Sequence, residues 1–143
     1  MPKVSETIVV DVPPKKIYEV ALDFEKYPEF LSDVKEATVQ NGRSKSLIVD
    51  FDIKVIKSVQ YTLKVTGTPY KSIRWELIKG ALFKKNNGEW NFKEEGKGKT
   101  RATYMIDIDF GLFVPSMITS RLIGSNLPSM MKKFKERAEG LES

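Results

Sequence analysis

Arg74, Glu76 and Arg121 are the polar residues nearest a series of large aromatics, Tyr61, Trp75, Trp90, Phe92 and Tyr104. With no His and no Cys among 143 residues, chemistry at such a place would be proton transfer by Tyr, Arg or a carboxylate acting without an imidazole. Triads, thiol nucleophiles and His- or Cys-ligated metal sites are excluded, as are disulfides. No spaced acidic cluster suggests a magnesium or calcium site, so neither a metal nor a cofactor is expected. Arg74 and Glu76 alternate with Trp75, which turns them to solvent. No residue therefore takes a catalytic assignment.

The aromatics sit in segments of period two, the signature of half-buried strands. Leu47, Val49, Phe51, Ile53 and Val55 alternate with polar positions such as Asp50, Asp52 and Lys54. Val59, Tyr61, Leu63 and Val65 repeat the pattern, followed by Ile73, Trp75 and Leu77, a strand around Glu89 to Lys93 with an earlier start at Leu82 left open, and Ala102, Tyr104, Ile106, Ile108 and Phe110. Gly67-Thr68-Pro69, Asn86-Asn87-Gly88 and Gly96-Lys97-Gly98 read as turns between them. An opening strand, Lys3 to Asp11, stops at Val12-Pro13-Pro14, and two short helices follow, carried by Ile17, Val20, Ala21 and Phe24 and then by Tyr27, Phe30, Leu31 and Val34. A long amphipathic helix closes the chain, with Ile118, Leu122, Leu127, Met130, Met131, Phe134 and Ala138 on its apolar stripe and Pro128 expected to kink or divide it. The expected class is α+β, with residues 1–143 as a single domain. Its frame is a curved antiparallel sheet of about six to seven strands wrapped around the C-terminal helix.

Twisted strands make a large sheet curl, and one helix is the main cover for its concave face. That geometry leaves room for a tunnel. Its expected lining is Phe51, Tyr61, Leu63, Trp75, Trp90, Tyr104, Ile106, Ile118, Leu122, Met130 and Phe134, with Tyr27 and Phe30 near one entrance. Each aromatic can equally serve as plain core. Leu112 and Phe113, beside Met117 and Ile118, read as a gate at the tunnel mouth that doubles as a membrane contact, or as a seal over its end.

The strand ending Val12-Pro13-Pro14, the turn Tyr27-Pro28-Glu29-Phe30-Leu31, the strand Gly88-Glu89-Trp90-Asn91-Phe92 and the closing segment Leu127 to Ala138 resemble the START-like polyketide cyclase/dehydrase and coenzyme Q-binding superfamily. The resemblance covers nearly the whole chain and implies a helix-grip fold. It also implies a tunnel used by different members for lipids, quinones, polyketides or plant hormones, with related bacterial toxins acting on ribosomes. Quinone-binding members often carry Pro-Trp-Cys after the aromatic turn, where this sequence has Ser32-Asp33-Val34.

Three functional classes stand open: a binding or transport protein for a hydrophobic or amphiphilic small molecule, a cyclase/dehydratase-type enzyme, and an interaction module for a ribosome or a membrane. The 24 Lys and Arg against 19 Asp and Glu leave a net charge of +5. This is a modest excess whose densest cluster is Lys132, Lys133, Lys135 and Arg137, the feature that points to a ribosome. The aromatics alternate into the expected core instead of interleaving with lysines, which argues against stacking on nucleic acid, and no sequence-specific nucleic-acid partner is expected. The chain opens without a basic stretch and apolar run and has no apolar run of membrane-spanning length, so a cytoplasmic location is expected.

Overall fold

The computed structural model describes residues 3–40, 46–54, 58–80, 84–109 and 127–142. Strand β1 (Lys3–Val10) leads into helix α1 (Pro14–Leu22) and a 3-10 helix (Phe24–Glu29). Six strands follow: β2 (Val34–Val39), β3 (Ser46–Lys54), β4 (Ser58–Thr68), β5 (Ser72–Gly80), β6 (Lys85–Gly96) and β7 (Lys99–Asp109). Helix α2 (Leu127–Glu142) is the last described element. The strands form one antiparallel seven-stranded sheet in the order β1-β7-β6-β5-β4-β3-β2. The meander β2 to β7 is thus joined at its far end by β1. This is the expected α+β architecture of a curled sheet with a C-terminal helix and two short helices after the first strand.

Local chemistry sets the boundaries. Pro14 opens α1, where its missing N–H needs no partner, and the Pro13 carbonyl accepts the Lys16 amide at 2.9 Å. The Thr100 hydroxyl, fully buried, donates to the Val12 carbonyl at 2.7 Å and pins this corner to β7. Pro128 lies in the first turn of α2, a place proline tolerates; the stretch before it, where the expected kink would join an earlier helical segment, lies outside the described residues. Asn86-Asn87-Gly88 is not a turn but the beginning of β6, paired with Ile108, Asp107 and Ile106 of β7. Ladder pairing there overrides the turn preference of those three residues.

The core lies between the concave face of the sheet and the helices. Leu127, Met131, Phe134 and Ala138, at helical spacing on α2, are buried together with Ile17, Val20 and Ala21 of α1. Polar contacts fix α2 in place. Lys135 Nζ donates to the Val9 carbonyl at 2.9 Å and to Glu139 at 2.6 Å, the Asp11 amide donates to Glu139 at 2.9 Å, and Arg137 donates to Glu29 at 2.7 Å while standing over the Phe30 ring. Lys135 and Arg137, two members of the basic cluster Lys132, Lys133, Lys135 and Arg137, thus also tie α2 to the rest of the fold.

The Lys135 ammonium and, after it, the Asp11 amide hold the Glu139 carboxyl below the usual carboxylate range. A carboxyl depressed in the folded state stabilises fully above its unfolded value, about 4.3 for Glu, and loses that contribution as pH falls below it. Glu139→Gln is accordingly expected to melt a few degrees below the wild type at pH 7 and together with it near pH 3. A gap in melting temperature that persists unchanged at pH 3 would contradict the clamp.

Candidate functional site

A cavity of about 120 Å³ lies between the concave face of the sheet and the helical cover. Its floor takes one residue in two from successive strands: Phe51 of β3, Tyr61, Leu63 and Val65 of β4, Ile73 and Trp75 of β5, Asn86 and Trp90 of β6, and Tyr104 and Ile106 of β7. Alternation turns these inward and leaves Asp50, Lys64, Arg74 and Glu89 outside. Val34 of β2 adds to the sheet side, and the cover is Phe24 and Tyr27 of the 3-10 helix, Leu31, and Met130 and Phe134 of α2.

The lining is a connected aromatic cluster. Trp90 packs edge-on against Tyr104 at 5.0 Å and Phe134 at 5.2 Å, Tyr27 meets Phe134 at 5.2 Å, Trp75 tilts over Tyr104 at 5.3 Å, and Phe51 stacks on Tyr61 at 5.1 Å. Trp75 is placed by a glycine: a Cβ on Gly88, its partner across the β5–β6 ladder, would fall 2.2 Å from the indole Cζ2 and 2.7 Å from the Met105 carbonyl. Gly88→Ala must therefore push the indole or the strand aside. A destabilisation of about 1–3 kcal/mol is expected, with a shift in tryptophan emission; a variant that melts and fluoresces like the wild type would contradict the contact.

Burial raises the phenol pKa values of Tyr27, Tyr61 and Tyr104, and the neighbouring phenols add to the shift at Tyr27 and Tyr104. All three remain neutral at ordinary pH, and the Tyr27 hydroxyl donates to the Ala21 carbonyl. Among the described residues the lining contains no carboxylate, lysine or arginine. The wall is thus apolar, with neutral phenols, indoles and one carboxamide as its polar groups. At about 120 Å³ it is smaller than the several hundred Å³ usual for ligand pockets, because the aromatics fill much of the space beneath the helix. A cavity of comparable size, roughly 150 Å³, accommodates one benzene ring. Two larger hollows, of about 580 and 570 Å³, are open depressions on the outer face of the sheet, bordered by charged side chains such as Glu36, Asp50, Lys79, Lys64, Arg74 and Glu89.

Of the residues singled out from the sequence, Tyr27, Phe51, Tyr61, Leu63, Trp75, Trp90, Tyr104, Ile106, Met130 and Phe134 all border the cavity. Phe30 stands one layer behind, against Tyr27 and Phe134. Ile118 and Leu122, the gate residues Leu112 and Phe113, and Arg121 lie outside the described residues. Arg74 and Glu76 are exposed, as alternation requires. The cavity residues not named as lining from the sequence are Phe24, Leu31, Val34, Val65, Ile73 and Asn86.

Ribosome association toxin RatA of Escherichia coli strain K12 is 24% identical over 144 residues, covering 100% of this chain and 90% of that protein. A START superfamily protein from Mycobacterium smegmatis superposes with a TM-score of 0.84 at 23% identity, over 97% of this chain and 98% of the other. The Zhui aromatase/cyclase from Streptomyces sp. R1128 superposes with a TM-score of 0.86 at 14% identity, over 96% and 93%. The fold is therefore the START-like helix grip. The family model for polyketide cyclase/dehydrase and lipid transport matches residues 10–135, and the chain belongs to that family.

Proposed function

We propose that the protein binds a hydrophobic or amphiphilic small molecule, of lipid, quinone or polyketide-like character, in the cavity between the sheet and α2, and acts as its carrier. The observation that carries this reading is the apolar wall itself: eleven residues of the sheet and five of the cover converge on a space that a fully packed core would not leave. Ligands larger than one ring enter by displacing lining aromatics. Trp75 and Trp90, the two tryptophans of the chain, border the space, so their emission reports entry. A saturable change at one equivalent of a hydrophobic ligand is expected; unchanged emission across lipid, quinone and aromatic probes would count against the reading.

A cyclase or dehydratase activity is a second reading, supported by the family description. The neutral phenols could donate hydrogen bonds to a folded polyketide-like chain, but the described lining offers no general base of suitable pKa. Ribosome association is a third, supported by similarity to RatA along the full length of the chain. Co-sedimentation with ribosomes tests it directly.

A further inference from the structure

Asn86 is 4% exposed, borders the cavity, and has a side-chain carbonyl, Oδ1, that meets no hydrogen-bond partner. Such an atom is costly to bury unpaired. Its position compounds the oddity. Asn is disfavoured inside strands, yet it occupies an inward position of β6 among apolar neighbours, and a residue that breaks local rules without a compensating contact marks a functional place. Its neighbour Asn87 shows the contrast: its own Oδ1 accepts the Leu77 amide at 3.3 Å, just past Trp75 and Gly88, where the β5–β6 ladder ends among the described residues. The other orphaned atom, Asp52 Oδ1, belongs to a half-buried residue on the outer face of the sheet and has no part in the cavity.

We propose that Asn86 is the recognition residue of this cavity and that its carboxamide takes the hydroxyl of an otherwise apolar ligand, which makes the preferred ligand an alcohol or phenol rather than a hydrocarbon, ether or ester. The inference rests on the cavity being a binding site. A hydroxyl is the group that fits, because it donates to Oδ1 and can also accept from the amide N–H₂. An ether, ester or quinone carbonyl only accepts, and would leave Oδ1 as it is. The phenols of Tyr27, Tyr61 and Tyr104, neutral through burial, keep the surroundings free of charge that would select an ionic headgroup.

The test compares p-cresol, toluene and 4-methylanisole, single-ring probes that share a tolyl group, by calorimetric titration of the wild type and Asn86→Leu. The wild type is expected to bind p-cresol about tenfold more tightly than the other two. Asn86→Leu should abolish that preference and bind toluene at least as well. Because the substitution removes an unpaired buried carbonyl, it should also raise the melting temperature, an effect opposite to that of losing a structural hydrogen bond. Equal affinities for the three probes in the wild type, as expected if a buried water satisfies Oδ1, overturn the role of Asn86 while leaving the binding site intact. Failure of all three to bind removes the site and the inference together. If Asn86→Leu does not fold, the comparison of probes on the wild type still decides.

Discussion

Phe134→Ala is expected to lower the stability of the protein by about 3–5 kcal/mol, a large part of the 5–15 kcal/mol typical of a domain. Phe134 is 2% exposed and is the point where α2 meets the rest of the core: its ring lies 5.2 Å from Tyr27, 5.1 Å from Phe30 and 5.2 Å from Trp90. Truncation removes three edge-on ring contacts as well as buried area, and opens a void continuous with the existing cavity. Urea denaturation measures the loss. A change below about 1 kcal/mol would mean that α2 is held chiefly by its polar clamps to Val9, Asp11 and Glu29.

Leu63→Trp is expected to weaken binding of any hydrophobic ligand by about a hundredfold or more. Leu63 lies mid-floor on β4, flanked across the ladders by Val49 and Leu77, and is 6% exposed. An indole there has the cavity as its nearest free space. The cost in stability should stay within the roughly 1–3 kcal/mol of ordinary overpacking, because the empty volume absorbs part of the added bulk. Calorimetric titration with toluene gives the readout, with circular dichroism as the check on folding. A folded variant that binds toluene as the wild type does would place the ligand elsewhere.

Much of the cavity wall was legible in the sequence because alternation fixes faces. Once Tyr61 and Leu63 point inward, β4 has no freedom to turn them out, and the same holds for Trp75 and for Tyr104 with Ile106. Val65 and Ile73 share that parity and could have been found by the same rule. Phe24 and Leu31 could not, since helical spacing gives a face but not the direction in which a short helix docks, and Val34, read as part of a helix, is instead the first residue of β2. Asn86 was hidden by the company it keeps: Asn-Asn-Gly carries a strong turn preference, and only pairing with Ile108 on β7 shows it to be a strand. Its parity with Trp90, four residues on, was the available signal. The contacts of the basic cluster on α2 were hidden for a related reason. Charge is visible in a sequence, but the Val9 carbonyl, Glu139 and Glu29 that engage Lys135 and Arg137 come together only in the fold.

Whether the cavity holds a hydrophobic small molecule is decided by organic extraction of protein purified from its native source, compared by mass spectrometry with Leu63→Trp purified in the same way. One apolar compound is expected in near-stoichiometric amount with the wild type and is expected to be lost from the variant, and a hydroxyl on it would accord with the role of Asn86. A wild-type extract with no stoichiometric apolar compound, or the same compound retained by the folded variant, would contradict the proposed binding.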